Sequence, residues 1–404
     1  MERLQHQSAP VRLLRERARR ARTHGERAVA VLVPPLFGTR LSDEKGRMLW
    51  GQTRRIFFGP SIGAAERVRP DGLLEHLPIL PGIFGQDIFG GLMRFLEQVG
   101  GYRRGEDLFV LDYDWRKGIP FAAAELDTLI RKIRGIGNER VDLLCVSSGG
   151  AVGRYYLAYG GADMLAQPAP EPSEIEPGIS SVRRMIYVAS PQRGSFGALA
   201  HIHEGIEFLP WTKHFPSSEL VLCQTAFDYI PHPKEPVFVD EQGNTIDLNI
   251  FDTETWLKLG IANALKGISI DDFSARLDKA LRLHQAFDSA NSAHPDTIVI
   301  GARHLPTRAR FVIQKGKAIL PDCDPPPKNS PLRFAFEPGD GALPESSLLA
   351  VPGLQKDRLW LVKPKAHHLI EADSSVHRFI LEALLSTDRP IPKEPPLLQI
   401  QRRE

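Results

Sequence analysis

The sequence predicts an α/β fold in which a mostly parallel central sheet is flanked by helices and interrupted by an inserted lid or cap subdomain. Three observations lead to this prediction. Short continuous apolar runs recur along the chain, as expected for strands that are buried on both faces. Stretches with helical periodicity lie between several of these runs, which is typical of parallel sheets. A longer, aromatic-rich stretch then breaks the alternation.

The predicted strands are runs of apolar residues bounded by glycine, proline or charged residues. The six runs are 28–33, 108–113, 141–146, 185–189, 297–300 and 359–362. Helices are predicted between them, most clearly at 121–134 and 150–159, where apolar residues recur at a spacing of three and four. Strand and helix therefore alternate, so we expect helices on both faces of the sheet.

Composition excludes several classes of protein. The 404 residues are 42% hydrophobic and 25% charged, which is the profile of a folded globular chain. The 51 Lys and Arg residues nearly balance the 49 Asp and Glu residues, so no global field would attract nucleic acid. Three widely spaced cysteines fit neither a disulfide framework nor a zinc site. No membrane span or signal peptide is recognised, so we expect a cytoplasmic protein without nucleic-acid partner, metal or cofactor.

The expected domain organisation is one core with three additions. An arginine-rich leader at 1–27 predicts a frayed or solvated helix, and 389–404 predicts a poorly ordered tail. The core is expected at 28–195 and 294–388. The segment 196–293 between them is interpreted as an inserted subdomain with a small core of its own, as an aromatic cap over an active site, or as both.

Two adjacent serines follow the third apolar run. The predicted strand runs directly into Ser147-Ser148 and two glycines, and a helical pattern begins immediately after them. This succession of strand, sharp turn and helix is the context of a nucleophile elbow. The turn is so sharp that the residues two before and two after the nucleophile must be small. Cys145 and Gly149 occupy these positions for Ser147. If Ser148 were the nucleophile, the residue two before it would be the β-branched Val146, which is less suited to so sharp a turn. Ser147 is therefore the expected nucleophile, and Ser148 is expected to donate its backbone N–H to the oxyanion hole.

The two other members of a catalytic triad are expected downstream, in the order acid and then histidine. Asp340 lies in a glycine-flanked turn and is the candidate acid. His367 and His368 follow the last apolar run and are the candidate bases. Each residue also has a structural interpretation, as a turn-forming aspartate or a capping histidine. The order and the context of all three favour the catalytic interpretation.

A second oxyanion donor is expected in the loop after the first apolar run. Pro35 has no N–H to donate. Leu36 is therefore the expected donor, with Phe37 as the second choice.

Five segments carry motifs in a fixed order. They are 32–38 with Val-Pro-Pro-Leu-Phe-Gly, 108–116 with Tyr-Asp-Trp-Arg, 141–157 with the serine pair, 189–195 with Ser-Pro-Gln-Arg-Gly-Ser, and 339–344 with Gly-Asp-Gly-Ala-Leu-Pro. In this order they resemble the lecithin:cholesterol acyltransferase-like lipases of the α/β-hydrolase superfamily. The resemblance implies the α/β-hydrolase fold, with Ser147 as nucleophile and Asp340 as acid. The segment 366–377 is most similar to the family's histidine motif when His367 is the base, with His368 as the alternative.

The chain departs from that family in two motifs. Cys145-Val146 stands where relatives usually have Gly-His, and Pro35 stands where they have Gly. Asp114-Trp115-Arg116 is interpreted as a structural unit that ties a loop to the sheet. The family's secreted, cholesterol-esterifying role is not expected here, because a signal peptide and disulfides are not recognised.

The expected function is that of a lipase-like serine hydrolase, which hydrolyses or transfers an acyl group from a lipid-like or other apolar ester through an acyl-enzyme. The substrate would be met in solution or by transient contact with a membrane surface. Two alternatives stay open. One is an acyltransferase that uses an alcohol acceptor, and the other is a catalytically silent α/β-hydrolase that binds lipid or protein.

Overall fold

The structure of the protein, a computed structural model, describes residues 9–386 apart from short gaps. The gaps are 53–61, 64, 81–83, 136, 138–139, 207–214, 262–264, 266, 291, 323 and 364. The tail predicted at 389–404, the first eight residues of the predicted leader and Cys323 lie outside the described residues.

The described part of the chain contains both helices and strands. The α-helices are α1 (Ala9–Thr23), α2 (Gly90–Gln98), α3 (Ile119–Gly135), α4 (Gly149–Tyr159), α5 (Phe196–Glu204), α6 (Ser217–Leu220), α7 (Gln224–Asp228), α8 (Thr253–Leu259), α9 (Ile270–Ser289), α10 (Glu345–Leu349) and α11 (Ser374–Leu385). The strands are β1 (Val29–Val33), β2 (Thr39–Asp43), β3 (Met48–Trp50), β4 (Val68–Leu73), β5 (His76–Leu80), β6 (Phe84–Asp87), β7 (Leu108–Val110), β8 (Val141–Val146), β9 (Val182–Val188), β10 (Phe238–Val239), β11 (Thr297–Gly301), β12 (Leu305–Arg308), β13 (Phe311–Gln314), β14 (Lys317–Ile319), β15 (Phe336–Gly339) and β16 (Leu359–Leu361). Among the helices in these ranges, none is both long and apolar enough to cross a bilayer.

Six strands form the central sheet, in the order β16-β11-β9-β8-β1-β7. All five pairings are parallel, and the strands coincide with the six apolar runs, so the predicted sheet is confirmed. The run predicted at 108–113 is a strand only at Leu108–Val110. Strand β8 lies inside the sheet between β9 and β1, and all of its residues are buried. This burial on both faces explains its mainly apolar sequence, and the one carboxylate in it, Asp142, is paired with Arg183.

Helices cover both faces of the sheet. Neighbouring residues of a strand point to opposite faces, and on β1 Val31 belongs to one hydrophobic cluster while Leu32 belongs to another. The first cluster includes residues of α3 and α4, and the second includes residues of α1, α2 and α11. The predicted arrangement of a sheet between two helical layers is confirmed.

Helix α1 is part of one of these layers. Leu14, Ala18 and Ala21 are buried in the cluster that contains α11, and Arg17 forms an ion pair with Glu382 of α11. The prediction of a frayed or solvated helix is therefore wrong. The apolar face is too small to insert into a membrane. Its buried residues are four and three positions apart, however, so they share one side of the helix and can pack on a neighbouring helix.

The segment 196–293 lies between β9 and β11 and contains α5 to α9. Its buried aromatic side chains, including Phe196, Phe227 and Trp256, belong to the same hydrophobic cluster as Val31 of the sheet. The interpretation as a subdomain with a separate core is therefore wrong, because these side chains extend the core of the sheet.

Candidate active site

Ser147 lies at the tip of the turn between β8 and α4. Its φ angle is 48°, a left-handed conformation that is strained for a residue other than glycine and that recurs at functional sites. Its backbone N–H donates to the Val188 carbonyl at 2.7 Å. A Cβ atom on Gly149 would collide with the carbonyl oxygen of Val33. The turn therefore needs glycine two residues after Ser147, as the elbow motif predicts.

Cys145, two residues before Ser147, is accommodated by a glycine in the following helix. The Cys145 side chain is fully buried, and a Cβ atom on Gly153 of α4 would collide with its Sγ. The cysteine side chain two residues before Ser147 therefore fits because residue 153 is glycine. Burial raises the pKa of the Cys145 thiol, which keeps it protonated at neutral pH.

The structure brings Ser147, His367 and Asp340 together in one hydrogen-bonded chain. Ser147 Oγ lies 2.9 Å from His367 Nε2, and His367 Nδ1 lies 2.7 Å from Asp340 Oδ2. The adjacent His368 is exposed. This arrangement allows an imidazole to accept a proton from a hydroxyl while a carboxylate holds the opposite ring nitrogen.

Asp340 is held rigidly at the end of β15. Its carboxylate is fully buried, and Oδ1 accepts hydrogen bonds from the backbone N–H groups of Ala342 at 3.0 Å and Leu343 at 2.7 Å. The N–H of His367 donates to the Asp340 carbonyl at 2.9 Å. The loop that carries Asp340 is therefore joined to His367 by a backbone hydrogen bond as well as by the contact between the two side chains.

The electrostatic surroundings of His367 favour its protonated form. Burial lowers the pKa of His367, but the charge and hydrogen bond of Asp340, together with the nearby Glu371 carboxylate, raise it overall to about 9. A buried carboxylate of this kind stabilises the imidazolium that forms when a hydroxyl is deprotonated.

The loop after β1 is arranged differently from the sequence expectation. The Leu36 N–H donates to Oγ of Ser148 at 2.7 Å, so the hydroxyl of Ser148 lies beside the expected oxyanion donor. Tyr229 donates from its hydroxyl to the Ser148 carbonyl at 2.5 Å. Phe37 has a φ angle of 67°. Sequence reasoning assigned only a backbone role to Ser148, because a side-chain contact across 112 positions leaves no local signal.

The Tyr-Asp-Trp-Arg motif supports this loop. The Tyr113 hydroxyl donates to the Pro34 carbonyl at 2.9 Å, and the Trp115 ring packs edge-on against Phe37 with centroids 4.6 Å apart. Arg116 binds both carboxylate oxygens of Asp114 at 2.8 Å. These contacts agree with the structural interpretation of 114–116. They add Tyr113 as a loop-positioning residue, which the sequence analysis did not single out.

Ser147 and His367 line a cavity of about 440 Å³. Its wall is mainly apolar and includes the oxyanion loop and the loop after Asp340. The inserted segment contributes another part of the wall, which includes Ala198, His201, Ile206, Leu220, Ala226 and Tyr229. Among the described residues of this segment that line the cavity, Tyr229 is the one with a phenyl or indole ring, so the interpretation as an aromatic cap stays a prediction.

Comparisons with known proteins concern the fold. No protein-family model and no curated protein matches the sequence. The chain is similar to Tle4 in the crystal structure of the Tle4–Tli4 complex, with 12% identity, 89% of this chain and 98% of that chain covered, and a TM-score of 0.54. It is also similar to the mature Bacillus licheniformis lipase BlEst2, with 13% identity, 89% and 92% covered, and a TM-score of 0.37. Together with the six-stranded parallel sheet, the likeness to Tle4 shows that the chain has the α/β-hydrolase fold.

Proposed function

We propose that the protein is a serine ester hydrolase of the lipase class. One observation supports this above all others: the hydrogen-bonded chain from Ser147 through His367 to Asp340 lies in the wall of a mainly apolar cavity. A fold alone does not assign an activity. A nucleophile, a base and an orienting acid in contact support a class of chemistry, and the class that they support here is acyl transfer.

The reaction proceeds in two steps. His367 takes the proton of Ser147 as Oγ attacks the ester carbonyl, and then donates it to the departing alcohol, which leaves an acyl-enzyme. Water, deprotonated by His367, attacks the acyl carbonyl, and the acid leaves as Ser147 regains its proton. Asp340 holds the imidazole tautomer throughout. Transfer to an alcohol instead of water would use the same acyl-enzyme, as the resemblance to lecithin:cholesterol acyltransferase-like lipases implies.

The acyl group is expected to be apolar. The cavity beside Ser147 is mainly apolar, and a hydrocarbon chain gains free energy when it leaves water for such surroundings. A bound acyl chain would displace water from this space, which would strengthen hydrogen bonds to the developing oxyanion.

The first test measures hydrolysis of 4-nitrophenyl butyrate by the purified protein as a function of pH. We expect turnover with a kcat/KM that rises between about pH 7 and 9, because a base with its pKa raised to about 9 is largely protonated below that value. A base with an ordinary histidine pKa would give a plateau already above about pH 7. That plateau would contradict the raised pKa of His367, whereas a protein that hydrolyses no ester at all would contradict the proposed function.

The second test concerns the oxyanion hole. In the proposed site the oxyanion accepts one hydrogen bond from the Ser148 N–H and a second from the Ser148 hydroxyl. The Leu36 N–H donates to the oxygen of that hydroxyl at 2.7 Å, which polarises the hydroxyl and makes it a stronger donor. Replacing Ser148 by alanine is expected to lower kcat by about 10²-fold with little change in KM, as for other single oxyanion donors. Ser148→Thr keeps the hydroxyl and is expected to retain most of the activity. Wild-type kcat in Ser148→Ala would show that Leu36 serves the oxyanion directly.

A further inference from the structure

The cavity wall contains a cationic side chain that the hydrolysis of a neutral ester does not need. Arg308 lines the same cavity as Ser147 and His367, and only 16% of its side chain is exposed. Among the described residues of that wall, none is acidic. A guanidinium that is largely withdrawn from water is costly unless an anion lies beside it. A cavity for anionic ligands would therefore use this charge, whereas a cavity for neutral lipids would not.

The anion that now accompanies Arg308 is weakly bound. Glu204 Oε1 lies 3.4 Å from both terminal nitrogens of the guanidinium, and 46% of the Glu204 side chain is exposed. Exposed pairs with this geometry stabilise proteins very little. Nη1 also donates to the Pro321 carbonyl at 3.2 Å, which orients the guanidinium. Arg308 is thus positioned but incompletely neutralised, so a ligand anion can compete with Glu204.

His201, a second basic residue near Arg308, does not provide a positive charge for an anionic ligand. His201 lines the cavity on α5, and burial together with the charge of Arg308 lowers its pKa to about 4. His201 is therefore uncharged at neutral pH. Apart from His367 itself, the positive charge in the described wall of the cavity is that of Arg308.

Arg308 is connected through β12 to the part of the cavity wall that holds Asp340 and His367. Strand β12 pairs antiparallel with β15, and Leu305 at its start lies beside Asp340. Thr307 accepts a hydrogen bond from the Gly341 N–H at 2.9 Å. Arg308, three residues beyond Leu305, is about 10 Å further along the strand. Because the imidazole protonates the leaving alcohol, that alcohol faces the same wall as His367, Asp340 and β12.

Taking the proposed ester hydrolysis as its basis, we infer that Arg308 is a specificity residue that binds a phosphate or carboxylate group on the alcohol portion of the ester. A guanidinium binds either oxyanion through two parallel hydrogen bonds. The preferred substrate is then an acyl ester whose alcohol bears an anionic group, with the acyl chain in the apolar part of the cavity and the anion at Arg308.

The experiment compares three esters with one acyl length. They are 1-lauroylglycerol, which is neutral, 1-lauroylglycerol 3-phosphate, with the anion on the alcohol, and monomethyl dodecanedioate, with the anion on the acyl chain. For each enzyme variant the measured quantity is the ratio of kcat/KM for a charged ester to kcat/KM for the neutral ester. Because both values come from one preparation, this ratio does not depend on the fraction of folded enzyme.

The wild type is expected to prefer the phosphate-bearing ester through a lower KM. Arg308→Met is expected to lower that ratio by about 10-fold to 100-fold. Arg308→Lys is expected to retain part of the preference, since lysine keeps the charge but loses the paired hydrogen bonds. Glu204→Gln is expected to raise the ratio, because it removes the competing carboxylate.

Arg310→Met is the matched control. Arg310 lies two residues away and pairs with Glu337, outside the wall of this cavity. The ratio of kcat/KM for the phosphate ester to kcat/KM for the neutral ester is expected to be the same in Arg310→Met as in the wild type.

Three results would overturn the inference. The first is a wild type that hydrolyses 1-lauroylglycerol without preferring the phosphate ester. The second is an Arg308→Met variant with an unchanged ratio, and the third is a preference for the anion on the acyl chain. In all three the proposed hydrolase activity survives. If the wild type hydrolyses none of the esters, the proposed function fails and the inference fails with it.

Discussion

Replacing Ser147 by alanine is expected to lower kcat for ester hydrolysis by about 10⁶-fold, the loss that removal of a triad nucleophile causes elsewhere. The reason is the geometry of the elbow. Ser147 Oγ is the hydroxyl that lies 2.9 Å from His367 Nε2, and alanine leaves no atom to form the acyl-enzyme. Alanine is also compatible with the fold here, since it removes one oxygen atom from the cavity wall and keeps the backbone unchanged.

The measurement is the steady-state hydrolysis of 4-nitrophenyl butyrate by the two purified proteins, with the thermal unfolding midpoint recorded for each. Ser346→Ala is the matched control, because Ser346 is exposed and its hydroxyl donates to Glu337 outside the cavity. The control is expected to keep full activity. A Ser147→Ala protein that hydrolyses the ester at the wild-type rate would show that the assigned nucleophile is wrong.

Replacing His367 by alanine is expected to have an effect of similar size, about 10⁶-fold in kcat, because the serine hydroxyl then has no base. The chain provides a control at the next position. His368 is exposed, so His368→Ala is expected to retain kcat within about twofold.

This pair of variants separates two histidines that the sequence leaves as alternatives. Both proteins are assayed under one set of conditions, with unfolding midpoints measured alongside, since Asp340 loses a partner in His367→Ala. If His368→Ala is the inactive protein and His367→Ala the active one, the base has been assigned to the wrong residue.

Much of the fold was predictable because its signals are local. A strand buried on both faces is mostly apolar, so Val141–Val146 could be recognised without knowing its neighbours, even though it includes Asp142. The turn after it demands small residues at fixed positions, which identifies Ser147. The same reasoning misjudged α1: its arginines dominate the composition, but Leu14, Ala18 and Ala21 share one face and pack on α11.

The parts of the site that were not predicted depend on contacts between distant segments. The bond from Leu36 to Ser148 and the fit of Cys145 against Gly153 follow from how β1, β8 and α4 come together. Arg308 was not singled out for the same reason. It enters the cavity only because β12 pairs with the strand that precedes Asp340.

The most direct test of the central claim is labelling of the wild-type protein with a fluorophosphonate, followed by peptide mapping by mass spectrometry. Such reagents phosphonylate a serine that a neighbouring base activates. The structure predicts one adduct, on Ser147, and its loss in Ser147→Ala and His367→Ala. A folded wild-type protein that takes up no label, as a catalytically silent α/β-hydrolase would, or a label on a serine other than Ser147, would contradict it.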